Sequence, residues 1–172
     1  MLLKDINNKL LIKLPGLACN VYLKGTKNQA MKPIHILLVE DNEGDILLIK
    51  EAFEEAKLAN SISVVRNGEH AIDFVEQRGS FINENTPDLI ILDVNLPRKN
   101  GHEVLQYIKK ADHLKQIPVV MLTTSSSETD VVKSYKNHAN CYITKPVDVE
   151  EFLAAVTNIE QFWISLVRLP SK

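Results

Sequence analysis

From residue 34 onward the chain alternates short aliphatic runs with stretches of helical periodicity. Five runs read as strands: "IHILLV" (34–39), "SISVVR" (61–66), "LIILD" (89–93), "PVVMLT" (118–123) and "CYIT" (141–144). They are short, rich in Val, Ile and Leu, and bounded by turn residues, as strands buried on both faces are. Helical patterns fall over about 45–57, 69–78, 101–110, 128–137 and 148–167. In the first, Ile46, Ile49, Phe53 and Ala56 share one face, while Glu51, Glu54, Glu55 and Lys57 fill the other. The stretch 128–137 offers only Val131, Val132 and Tyr135 to a core, which predicts the weakest docking of the five. "GSFINENT" (79–86) reads as a longish polar loop. Strict β-α alternation predicts an α/β fold, a doubly wound parallel sheet of five strands with helices on both faces. Right-handed crossovers then bring every strand's C-terminal end to one edge, where ligands of such sheets bind.

The last pattern carries more apolar surface than one core contact needs. Val149, Phe152, Leu153 and Val156 form an ordinary core stripe, but Ile159, Phe162, Trp163, Ile164, Leu166 and Val167 occupy more than one helical face. Phe162, Trp163 and Leu166 are therefore expected at a docking face, for a second copy of the chain or another protein.

Composition narrows the class. Of 172 residues 45% are hydrophobic and 24% charged, enough for one domain with a full core. Twenty Lys and Arg against 22 Asp and Glu give a net charge of −2, with no basic excess to hold a phosphate backbone, so direct nucleic-acid binding is not expected. Cys19 and Cys141 are too few for a disulfide framework and form no metal knuckle, which points to a reducing cytoplasm. Near the N-terminus, "LIKLPGLAC" is a poor leader peptide, because Lys13 and Pro15 interrupt its apolar stretch; neither export nor a membrane anchor is expected. Regular patterning begins only after Met31, so residues 1–32 are expected to be an extension lacking regular order or lying upstream of the natural start, 33–168 a domain, and 169–172 a tail. The five histidines have no mutual metal spacing and none is assigned a role.

Read in order, the strand ends carry Glu40 and Asp41, then Asp93, then Thr123, then Lys145. Three carboxylates at one site repel, each like-charge pair by roughly 4 kcal/mol at ~4 Å in an effective dielectric of ~20. A hard divalent cation relieves that repulsion, and Mg²⁺ takes carboxylates, water and phosphate oxygens together. Lys145 adds a point charge, Thr123 a hydroxyl, and the loop after Asp93 free backbone N–H groups: an electrostatic clamp for a transferring phosphoryl group. Asp93 is then the nucleophile, forming an aspartyl phosphate.

The stretches "LLVEDNEGD" (37–45), "DLIILDVNLPRKNG" (88–101), "VVMLTTSS" (119–126) and "CYITKPVD" (141–148) resemble the receiver domain of two-component response regulators. The likeness covers about 33–165, with spacings of 30 from Asp93 to Thr123 and 22 from Thr123 to Lys145 that suit receivers. It implies a flavodoxin-like strand order of 2-1-3-4-5. It implies Asp93 as phosphoacceptor, Asp41 as direct Mg²⁺ ligand with Glu40 assisting through water, and the main-chain carbonyl of Asn95 as a further ligand. Lys145 is then expected to pair with the phosphoryl group and Thr123 to hydrogen-bond to it, while Tyr142 changes rotamer with it. One departure is Glu40, where many receivers carry a second Asp. The wording "LTTSS…NCYITKPVD" and the tail "FWISLVRLP" are similar to the single-domain response regulators of cyanobacterial phytochrome kinases, implying a phytochrome-type sensor histidine kinase as partner.

Other readings fit less well. An aspartate-nucleophile phosphatase wants a general acid two residues past the nucleophile, and that position is Asn95. A flavin carrier wants a glycine- and hydroxyl-rich phosphate cradle, where this chain has the acidic "EDNEGD". A binding module that never carries phosphate is the remaining alternative. Only 27 residues follow Lys145, so the expected output is protein contact, with an unknown downstream protein and through a homodimer, rather than enzymatic turnover.

Overall fold

The computed structural model describes residues 2–4, 10–14, 17–18, 33–55, 60–124 and 128–166, with side chains over 33–54, 61–124, 131–159 and 161–163. Three short N-terminal strands come first, β1 (Leu2–Lys4), β2 (Leu10–Leu14) and β3 (Leu17–Ala18), and form a small antiparallel sheet of their own. The extension expected to lack regular order thus carries these strands; the rest of 1–32 lies outside the described residues.

The main body alternates strand and helix: β4 (Ile34–Val39), α1 (Glu43–Glu55), β5 (Asn60–Val65), α2 (Gly68–Val75), β6 (Leu89–Asp93), α3 (Gly101–Lys110), β7 (Val119–Thr123), α4 (Glu128–Lys136), β8 (Cys141–Thr144) and α5 (Val149–Glu160). The sheet is five-stranded and all parallel, in the order β5-β4-β6-β7-β8, which is 2-1-3-4-5 counted within it. The expected doubly wound architecture is present.

Successive strand residues face opposite layers, so one aliphatic run feeds two cores. Leu37, Val39, Ile90, Leu92, Val119 and Met121 meet Phe74 of α2 and Val104, Leu105 and Ile108 of α3. Ile36, Leu38, Leu89, Ile91, Val120 and Leu122 meet Ile46, Ile49 and Phe53 of α1 and Phe152, Val156 and Ile159 of α5. Helix starts are capped by side chains: Asn67 accepts from the His70 N–H, Asp148 from the Glu151 N–H, and Asn100 closes a reciprocal box with Glu103.

Three expectations need correction. On α4, Val132 and Tyr135 are exposed at 51% and 42%, and the residue turned inward is Ser134. The helix docks at the sheet's margin, where its inward face meets too little apolar surface to bury both. The loop after α2 is not merely polar: a 3-10 turn, Gly79–Phe81, sets Phe81 against Phe74 with ring centroids 5.3 Å apart. And Trp163, expected at a docking face, is buried in the chain's own core beside α1 and α5. After Glu160 the backbone continues as a π-helical segment, Gln161–Leu166, and Trp163, four residues past Ile159 and seven past Val156, stays on the inward stripe that those residues and Phe152 form. Phe162 is half-buried, edge-on to Trp163 at 5.3 Å, and the side chain of Leu166 lies outside the described residues.

Candidate functional site

The strand ends converge because the register ends together. Val39 lies beside Leu92 and Val65, Asp93 beside Leu122, and Thr123 beside Thr144. The backbone ladder runs one residue further: Glu40 N–H donates to Val65 O at 3.1 Å, Val94 N–H to Leu122 O at 2.9 Å, and Lys145 N–H to Thr123 O at 2.6 Å. Glu40, Asp93, Thr123 and Lys145 therefore leave the sheet at one level, all of them buried.

The loop after Asp93 is held tightly. Gly101 N–H donates to Val94 O at 2.9 Å, and a Cβ at Gly101 would lie 2.1 Å from the Asp93 carbonyl oxygen. Only glycine lets α3 start so close to the end of β6. The Asn95 N–H, expected to be free, donates to Asp93 Oδ2 at 2.7 Å, fixing the acceptor carboxylate from behind. The Asn95 amide reaches across to Thr124 Oγ1 at 3.3 Å.

Lys145 is the hub. Its Nζ lies 2.8 Å from Asp93 Oδ1 and donates to Glu40 Oε2 and to Asp45 Oδ2, the last at 2.9 Å. Glu40 also accepts from the Asn42 N–H through Oε1 at 3.1 Å. Burial pushes the Glu40 carboxyl up, against the pull of the Lys145 ammonium. Burial also works against the charge on Lys145, but its ion pairs with Asp93, Glu40 and Asp45 outweigh that and raise its pKa. The two directions agree physically: one ammonium divided among three carboxylates is itself fully served while each acid is served in part.

Carboxylate oxygens of Glu40, Asp41 and Asp93 all lie within 4.8 Å of one another, with Asp41 exposed and the other two buried. The donor set is all oxygen and its negative charge exceeds what Lys145 supplies, so it fits a hard divalent cation. Among the described residues this is the group of that kind. Thr123 stands buried at the end of β7 next to the Asp93 strand, and Tyr142, half-buried on β8, packs against the α2–α3 core. Sequence reasoning missed Asp45. It closes the "EDNEGD" stretch and sits in the first turn of α1, where an acid is expected anyway from the helix dipole, so its place masks its contact with Lys145.

A parallel sheet in this order with an acidic cluster, a lysine and a buried threonine at its C-terminal edge is the arrangement of a receiver domain. The response regulator receiver domain family matches residues 36–157, and the chain belongs to that family. It is similar to the response regulator Rcp1 of Synechocystis sp., 42% identical over 144 residues that cover 84% of this chain and 98% of Rcp1. A probable methanogenesis regulatory protein, FilR2 of Methanothrix harundinacea, is 39% identical over 83% of this chain and 91% of its own length. Among solved structures, the Mn(2+)-bound form of Rcp1 superposes with a TM-score of 0.79 at 44% identity, covering 81% of this chain and 100% of that one. The phosphorylated cyanobacterial phytochrome response regulator RcpA does so with 0.79 at 46% identity over the same shares.

Proposed function

We propose that this receiver takes a phosphoryl group onto Asp93 from the phosphohistidine of a phytochrome-type sensor histidine kinase and signals in the cytoplasm by protein contact. The observation that carries the reading is the setting of Asp93: a buried carboxylate held by the Lys145 ammonium on one oxygen and the Asn95 N–H on the other, beside two further acids. Likeness to Rcp1 and RcpA over nearly their whole lengths supports the kinase class.

In the transfer, an Asp93 carboxylate oxygen attacks phosphorus, the P–N bond to the donor imidazole breaks, and its electron pair stays on the imidazole nitrogen, which takes a proton from solvent. Glu40, Asp41, Asp93 and the Asn95 main-chain carbonyl would hold Mg²⁺, which when bound supplies positive charge against the phosphoryl oxygens. Lys145 and Thr123 orient those oxygens, and the burial of Asp93 limits water. Tyr142 then turns further inward as Thr123 moves toward the phosphoryl group, and the loosely docked α4 follows. The protein thereby assists its own phosphorylation and dephosphorylation without being an enzyme that turns over a separate substrate.

Intact mass after incubation with Mg²⁺ and a small phosphodonor tests this. A gain of one phosphoryl group is expected in the wild type and neither in Asp93→Asn nor with chelator. A metal-independent gain, or one that survives Asp93→Asn, overturns the reading. A homodimer is proposed with it, supported by the exposed apolar side chains of Val132, Tyr135, Val147 and Val149. Sedimentation of the phosphorylated chain checks it, and a monomer at tens of micromolar would sink it.

A further inference from the structure

Lys145 has three N–H donors and the structure gives it three carboxylates, Glu40, Asp45 and Asp93. All three crowd the ammonium before any phosphoryl group arrives, Glu40 and Asp45 as hydrogen-bond acceptors and Asp93 Oδ1 as an ion pair at 2.8 Å without hydrogen-bond geometry. A phosphorylated Asp93 presents its new oxygens beyond the carboxylate, and an ammonium that turns to meet them must release an acid. The three acids are not equally easy to release. The side chains of Glu40 and Asp93 are 1% and 4% exposed, whereas that of Asp45 is 28% exposed and can exchange its ion pair for water. Leaving a buried carboxylate unpaired is far the more costly choice.

Asp45 also differs in where it sits. Glu40 and Asp93 end strands, but Asp45 belongs to the first turn of α1. That turn is tied to the site at three points: Asn42 N–H to Glu40 Oε1 at 3.1 Å, the Asn42 Oδ1 cap on the N–H groups of Gly44 and Asp45 at 2.9 and 3.1 Å, and Asp45 to Lys145 at 2.9 Å. Only the last of these ties is a direct bond to the ammonium.

We propose that Asp45 is a positioning residue for Lys145, the exchangeable third partner that holds the ammonium in the unphosphorylated receiver and is released when Asp93 carries a phosphoryl group, loosening the start of α1. This rests on the phosphoacceptor reading above. It gives the signal a second exit besides Thr123 and Tyr142, through α1 and so toward α5, with which α1 shares a core.

The test is amide hydrogen exchange on the full chain with Mg²⁺ alone and with Mg²⁺ plus beryllofluoride, a phosphoryl mimic that does not hydrolyse. A fluorine NMR signal absent from Asp93→Asn reports adduct formation independently. In the wild type the adduct is expected to speed exchange of the amides of residues 46–49 roughly ten-fold, the equivalent of one charge-assisted hydrogen bond. In Asp45→Asn those amides should exchange fast already without adduct and respond no further, while the adduct forms at several-fold lower beryllofluoride because no competitor holds the ammonium. An adduct that leaves residues 46–49 equally protected in the wild type overturns the inference alone. No Asp93-dependent adduct overturns the phosphoacceptor reading, and this inference with it.

Discussion

Asp41 differs from its two acidic neighbours in standing in solvent while Glu40 and Asp93 are buried. A divalent cation must reach the site from that side, and the exposed acid loses the least hydration in binding it. Asp41→Asn removes one of three mutually repelling carboxylates and is therefore expected to leave metal-free stability unchanged or raise it, not lower it. The same change should remove most of the stabilisation that Mg²⁺ gives the wild type, which amounts to about 2.7 kcal/mol at a hundred-fold excess over Kd. Thermal melts across a Mg²⁺ titration check this; equal gains for both proteins would take Asp41 out of the ligand set.

At the opposite edge of the sheet Lys109 shows a different lysine chemistry. Its Nζ donates to the carbonyls of Lys115 and Ile117 at 3.2 and 2.7 Å and to Asn140 Oδ1 at 3.1 Å, all neutral oxygens. Burial pulls its pKa from 10.5 down to about 8. Between those values the unfolded chain keeps a proton that the folded chain has lost, so stability rises with pH across that window. Lys145, raised instead, holds its contribution below 10.5 and does not confound the comparison. Denaturant unfolding from pH 7 to 10 should thus show the wild type gaining on Lys109→Met as pH climbs, by less than ~1.4 kcal/mol per pH unit. Parallel curves would mean that the three acceptors stabilise the ammonium enough to offset its burial.

Elements were legible in proportion to how much their chemistry depends on period and position. The strands declare themselves because a run buried on both faces has no polar alternation to confuse it, and Asp93 stands out because such a run delivers it directly into a turn. The inward face of α4 was not legible: Val132 and Tyr135 have the spacing of a core stripe, yet the helix at the sheet margin turns Ser134 inward. Trp163 is hard to tell from its neighbours because apolar residues fall on several faces of 159–167, yet its spacing of four from Ile159 and seven from Val156 is that of the core stripe. Gly101 was visible as a turn residue, but its demand is spatial. A Cβ there would lie 2.1 Å from the Asp93 carbonyl oxygen and 2.9 Å from Val94 Cα, both backbone atoms that cannot step aside. Gly101→Ala is expected to destabilise by about 3 kcal/mol, the upper end for overpacking, and to slow phosphoryl uptake by pushing α3 off the acceptor strand. Gly79→Ala is the control: its φ is +56° with nothing within 4 Å, so it should lose only ~1–2 kcal/mol of backbone strain energy and leave uptake unchanged. Equal effects on uptake would mean that the packing at Gly101 does not set the site.

On the scale of the whole molecule, two cores on either side of one sheet share a single edge where every chemical group lies. The strands that form that edge run from Ile34 onward: among the described residues β1, β2 and β3 pair with one another, and the family match begins at residue 36. We infer a receiver domain over 33–168, with 1–32 as an extension and 169–172 as a tail. A chain beginning at Pro33 should then unfold within about 0.5 kcal/mol of the full chain, as changes outside buried contacts do. It should also take up one phosphoryl group on Asp93 at an unchanged rate. Side-by-side denaturation and intact-mass time courses of the two chains decide the point. A loss of several degrees in Tm would place the extension against the core. Slower uptake with stability intact would place it over the phosphoacceptor edge, where a segment of that length could gate the kinase.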